Sequence, residues 1–391
     1  MWKNGFLCAV AAIAAVIGVA CGDSDPTSEW SPDAAVPPDR QWIFVTERDG
    51  SAVSVFDFDT LERWGRIPVG ADPVEMIASP DGSTVWTPSQ GSGELFVLDA
   101  ATLTIRHRVT VGTRPTHSYL SPDRRTLWLG NDGSSDVSVI DLETGDEERI
   151  LTGNGHHKMA LVPDDQGELS EVWVSNISDA TLTVIDAPAR RTITNVAVGP
   201  APHGMDYEAS TARVYNCSGD EQGSVEVIDT GGDEARTVVS RIPLPDRCGY
   251  LHEKGGQVFA TVRSEDLLVR IDPATEDVDT FETGGDYPDK FLVRDDVAFV
   301  AHVLEPVVTA IDLGSGTKLA TIPVGEAHVE DGKGHRSIRG FEDRVLVPNQ
   351  EDDTVTVIDA ATFEVVGTLD GMTGPFDVAV AGPRGGTTYP R

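Results

Sequence analysis

The residues in this sequence best suited to chemistry are its histidines, nine in 391 positions. Several recur at one register. Stretches that begin near Pro and close on Pro-Asp or its equivalent share a first position, filled by Val74, Thr116, His157, His203, Cys248, Asp289, His335 and Phe376. The next position holds Glu75, His117, Lys158, Gly204, Gly249, Lys290, Arg336 and Asp377. His302 opens a neighbouring loop, and an insertion carries His328 with Glu330 and Asp331. Imidazole, thiol and carboxylate groups brought to one level are a ligand set for Cu or Zn. The candidates are His157, His203, Cys248, Asp289 and His335, with His117 and His302 close by. His157, His203 and His335, helped by a loop histidine, form the smaller set able to reach one ion. The same groups can instead face an iron tetrapyrrole. Lys158, Lys290 and Arg336, with His117, can receive an anion, and plain polar lining is the remaining reading.

The usual catalytic signatures are missing. There is no Gly-x-Ser-x-Gly, His-Glu-x-x-His, P-loop or EF-hand loop. His252-Glu253 lacks the second histidine a zinc protease needs, and Asp164 to Glu168 lacks the spacing of a calcium loop. Binding is therefore favoured over catalysis.

The elements that must position these residues repeat. Alternating apolar residues followed by Asp recur eight times, closing on Asp57, Asp99, Asp141, Asp186, Asp229, Asp272, Asp312 and Asp359, in steps of 42, 42, 45, 43, 43, 40 and 47. A period in the forties with twofold alternation inside each unit predicts the four-stranded blades of a β-propeller. A bulky series precedes the anchors: Phe44, Trp86, Trp128, Trp173, Tyr215, Phe259, Phe299 and Leu346, expected in the core between blades. Outer strands end in Pro or Gly, as in Ile67-Pro68-Val69-Gly70, where proline blocks edge pairing. The histidine-bearing stretches then become the innermost strands, lining a central channel. Seven of the nine histidines (117, 156, 157, 203, 302, 328 and 335) should gather on one face. The chain begins in a second strand at Trp42 and closes with an inner strand over Gly374 to Val380. The expectation is an all-β propeller of eight blades over 42–382, with seven as the alternative and a tail over 383–391. Three N-terminal strands and one C-terminal strand would complete the first blade.

Phe44-Val45-Thr46-Glu47, Trp173-Val174-Ser175-Asn176, Pro202-His203-Gly204 and Ser79-Pro80-Asp81-Gly82 resemble the repeats of YVTN-family β-propeller proteins. The resemblance spans nearly all of the chain after its first forty residues. It implies the fold, while function is left to sites grafted on it. Propeller lactonases, which are seven-bladed, and the eight-bladed propellers of the nitrite-reductase type, which hold a modified haem over the channel, are the enzymatic alternatives. A surface scaffold without a small-molecule site is another.

The first twenty residues read as a targeting segment. Lys3 is followed by a run from Phe6 to Ala20, too short for a permanent span and suited to a signal h-region. It ends Gly18-Val19-Ala20-Cys21, which resembles the lipobox of bacterial lipoproteins and implies lipid on Cys21. Residues 21–41 are acidic and Pro-rich, a flexible tether. These features predict an exported lipoprotein of the cell envelope, in the periplasm or at the outer membrane surface, held only by its lipid. It is expected to be monomeric, with an unidentified ligand or protein partner. Cys217 and Cys248 are then free to pair, since disulfides persist outside the cytoplasm. Acids outnumber bases 64 to 30, giving a net charge of −34, which excludes nucleic acid held through its phosphates.

Overall fold

The computed structural model describes residues 35–219, 222–231, 235–326 and 336–387. Cys21, His328, Glu330, Asp331 and His335 lie outside them. Eight four-stranded antiparallel sheets, 32 strands among the described residues, form the eight blades. Blade 1 is the closing one: Trp42–Glu47, Ala52–Asp57 and Arg63–Pro68 are joined by Pro375–Ala381 as the inner strand. Trp42 pairs with Ala381 and Phe44 with Ala379, so the ring closes as the sequence predicts. Residues beyond this strand fold back onto it. Thr387 N–H donates to Val380 O, and Thr387 O accepts from Ala78 N–H of blade 2, each at about 2.8 to 2.9 Å. No helix among the described residues is long and apolar enough to cross a membrane.

The recurring Asp has a local cause. It ends the third strand of seven blades, follows it by one residue in blade 6, and turns the chain into the fourth. Asp359 Oδ1 accepts from Ala361 and Thr362 N–H, at 2.9 and 2.8 Å, and Asp57, Asp99 and Asp141 do the same in their blades. A short carboxylate that holds two backbone donors makes such a turn, which explains why the repeat keeps this residue type. The bulky series lies between sheets. Trp128, Trp173, Tyr215 and Phe299 are all within 1 % of full burial. Trp128 shares a core cluster with Leu161 and Val172 of blade 4, and Trp173 with Val214 of blade 5. Each ring removes about 150–250 Å² from water.

The inner strands are the irregular ones, and that irregularity builds the site. Register shifts interrupt pairing between Pro115 and Ser118, Cys248 and Leu251, and Pro288 and Phe291. A bulge leaves residues unpaired and re-aims their side chains. Those residues include His117, Tyr250 and Lys290. In blade 2 the inner strand shrinks to Ile77–Ala78 plus one bridge at Pro73. Met76 N–H goes instead to the Asp377 carboxylate of blade 1 at 3.1 Å.

Candidate metal centre

Four blades meet at one buried carboxylate. Glu75 of blade 2 accepts from His117 Nδ1–H of blade 3 through Oε2 at 2.7 Å and from Lys290 Nζ of blade 7 through Oε1 at 2.7 Å. Lys158 Nζ of blade 4 stands 4.0 Å from the same Oε1. The Tyr250 ring of blade 6 lies under both ammonium groups, 5.9 Å from Lys158 and 5.8 Å from Lys290. Glu75, His117, Lys158 and Lys290 are each no more than 5 % exposed. Burial alone would raise the Glu75 carboxyl, but His117, Lys290 and Lys158 hold it well below the usual range. Burial lowers Lys158 to about 8, while for Lys290 the attraction of Glu75 outweighs burial and raises it.

His117 is fixed at both nitrogens. Nδ1 lies 2.7 Å from Glu75 Oε2 and 3.1 Å from Lys158 Nζ. It cannot donate to the first and accept from the second. The shorter, charge-assisted contact places its proton on Nδ1 and leaves Nε2 a lone pair. Burial holds the imidazole near a pKa of about 3, so the ring is neutral at pH 7. Nε2 points at His156 Nε2, 2.8 Å away. His156 Nδ1–H donates to Asp132 Oδ2 at 2.6 Å. Burial would raise Asp132, but His156 above all holds it far below the usual carboxylate range. Asp132 is itself fixed by Thr116 Oγ1 at 2.9 Å and by His157 N–H at 3.1 Å.

The chemistry of this pair follows from its protons. Both Nδ1 protons are committed to carboxylates. Two neutral rings in that state would oppose lone pair to lone pair at 2.8 Å. A proton shared between the nitrogens, or a cation bound by both, removes the conflict. Carboxylate-oriented imidazoles with converging Nε2 atoms are the arrangement that holds Zn or Cu. His203 stands alongside, stacked on His156 with centroids 5.1 Å apart and its Nδ1–H on Gly249 O at 2.8 Å. His117, Asp132 and His156 offer ligand atoms within 4.8 Å of one another. Since Asp132 sits behind the His156 ring, on Nδ1, it orients that ligand.

Other expected site residues have different occupations. His157 is fully buried, and its ring nitrogens face the carbonyls of Ser175 and Ser134 at 3.0 and 3.2 Å, so both are occupied by backbone and neither is turned to the His117–His156 pair. Cys248 is joined to Cys217 in a disulfide between blades 5 and 6, which removes it as a thiolate ligand. Asp289 is ion-paired with Arg263 and accepts Arg336 N–H at 3.0 Å. His302 is buried in blade 7, with Nδ1 3.4 Å from Val307 O. Lys158 and Lys290 serve Glu75, and Arg336 Nη1 donates to Asn349 Oδ1 at 3.1 Å, so these three cations do not form an open anion site.

Glu75 stands at the aligned register and His156 among the seven histidines expected on one face, but neither was named as a ligand, and Asp132 was not named at all. His156 precedes the position at which the blades align, and Asp132 lies one residue past the second strand of blade 3. His302 ends that same strand in blade 7, so extending the alignment to these loops would have exposed Asp132.

Residues 30–212 match the family model of YNCE-like β-propellers, just under half of the chain. No curated protein matches the sequence. Apo AztD from Citrobacter koseri superposes with a TM-score of 0.69 at 16% identity, over 90% of this chain and 99% of that one. Dihydro-haem d1 dehydrogenase NirN in complex with DHE gives 0.66 at 17% identity, over 89% and 76%. Kuenenia stuttgartiensis hydrazine synthase gives 0.56 at 18%, over 75% and 97%. At these identities the likeness is one of fold, and by its own sheets and these comparisons the chain is an all-β, eight-bladed propeller whose first half is YNCE-like.

Proposed function

We propose that this protein is an exported, lipid-anchored propeller that binds a divalent transition metal, Zn or Cu, between His117 and His156, with His203 as the neighbouring ligand. The observation that carries the reading is the 2.8 Å approach of two Nε2 atoms whose Nδ1 protons are already held by Glu75 and Asp132. Resemblance to NirN, which was solved in complex with DHE, and to AztD supports a ligand-binding propeller, and the sequence of the first forty residues supports anchoring through Cys21. Titration calorimetry of chelator-treated protein with Zn(II) and Cu(II) tests it. We expect one ion per chain at micromolar affinity or tighter, a loss of at least tenfold in His117→Ala and in His156→Ala, and no change in His107→Ala, on the outer strand of blade 2. Binding that both site variants leave intact would refute the assignment. The NirN likeness and the stacked His156 and His203 rings favour a second reading, a tetrapyrrole over the same mouth, which a visible absorption band in the purified protein would reveal.

A further inference from the structure

Beside His203, away from His117, lies a cavity of about 210 Å³ lined by Arg247, Arg263, Cys248, Gly249, Ser264 and Tyr287, with Asp246 at its side. Two guanidinium groups line it, and Arg247 is the less committed. The Arg247 side chain makes no hydrogen bond or ion pair among the described residues, although it is half-buried. Arg263 gives Nη2 to Asp289, but its Nε is buried without an acceptor. Its guanidinium lies over Gly249, where a Cβ would stand 2.7 Å from Nε, so glycine leaves the room this side chain occupies. The nearby Asp246 carboxylate attracts Arg247 without a hydrogen bond to its guanidinium. Its oxygens accept from Ser264 Oγ and from the backbone N–H of Arg247. Burial, and then the like charge of Arg263, lower Arg247 from arginine's ordinary value.

We propose that this cavity is a binding site for a small oxyanion, a phosphate or carboxylate group, held chiefly by Arg247, with Arg263 lining the wall beside it. A guanidinium fork matches the paired oxygens of either group. An anion in the cavity would give the Arg247 guanidinium the hydrogen-bond acceptor it lacks among the described residues. The net charge of −34 repels anions from the molecule as a whole, so affinity must come from these local contacts. The site differs from the cations named in the sequence reading, Lys158, Lys290 and Arg336. It adjoins the proposed metal centre through His203, which lines this cavity and stacks on His156. It does not depend on a metal being there.

The test uses the full chain, stripped of metal by a chelator and held in a buffer without phosphate or carboxylate. Inorganic phosphate and citrate are titrated by calorimetry, the tighter of the two identifying the source of the anion. We expect saturable one-to-one binding of at least one probe, weakened tenfold or more in Arg247→Gln and unchanged in His117→Ala and Arg241→Gln. Arg247 has no ion pair to break, so its replacement leaves no buried charge behind. Thermal melts of each variant confirm the fold. Absence of saturable binding by both probes, or equal binding by Arg247→Gln, overturns the proposal, and neither result bears on the metal reading.

Discussion

Glu75 is the residue on which the channel mouth depends most. It neutralises Lys290 and Lys158 and holds the Nδ1 proton of His117. Removing one partner of a buried ionic group strands the others in a medium that penalises them, at a cost of roughly 3–5 kcal/mol. Glu75→Gln keeps the shape and removes the charge. We expect it to lower unfolding free energy by roughly 3–5 kcal/mol in urea titrations. It should also weaken metal affinity by about 10- to 100-fold through loss of His117 orientation. A variant equal to the native protein in both measurements would show that Glu75 organises nothing. The sequence placed Glu75 and His117 at one register but could not reveal that they meet. Their contact depends on bulges in the inner strands and on Lys290 reaching from blade 7, neither of which a linear pattern encodes. It overvalued His157 for a related reason. Alignment fixes where a side chain begins, and the carbonyls of Ser175 and Ser134 decide what its nitrogens do.

At the level of the blade, the sequence was far more legible. Alternation inside each unit marks the strands, and Asp marks the turn from third to fourth strand, because both are local signals repeated eight times. The closing strand was readable because Gly374 to Val380 had no blade of its own. The inner strand of blade 2 was not, since the Asp377 carboxylate of blade 1 takes the Met76 N–H. Pro375–Ala381 supplies the inner edge of blade 1, and its Val378 and Val380 lie in one core cluster with Leu346, Val355 and Val357 of blade 8. A chain ending at Asp370 therefore exposes the inner edge of one sheet and the apolar faces of two. We expect such a chain to lose its sharp thermal transition and to aggregate on purification. Calorimetry is the check, and a truncated protein that melts with the native midpoint and cooperativity would contradict the closure.

Across the whole molecule, stability should fall in mild acid, and buried histidines set the range. Burial lowers His302 from 6.5 to about 4, and His117 and His203 are lowered in the same way. The unfolded chain takes up these protons at a higher pH than the folded one. The contribution is therefore complete above pH 6.5 and is lost as pH falls through this window. For His302 alone, a drop from 6.5 to about 4 corresponds to on the order of 3 kcal/mol. His302→Phe should flatten part of the decline in unfolding free energy between pH 6.5 and 4, measured by urea titration. An unchanged slope would mean that His302 does not carry it. The cluster around Glu75 has one more consequence. Glu75 and Lys290 reach each other across the ring, and Arg339 meets Asp377 at 2.7 Å in the same buried neighbourhood. These groups form a septum across the bore. On its far side, a second cavity of about 270 Å³ is walled by Tyr119, Met159, Met205, Asp206 and His252, all farther along the inner strands. The buried ion pairs thus separate two chambers, one beside His203 and one beside His252, and a ligand held in either is shielded from the charges of the other by Glu75, Lys290, Arg339 and Asp377.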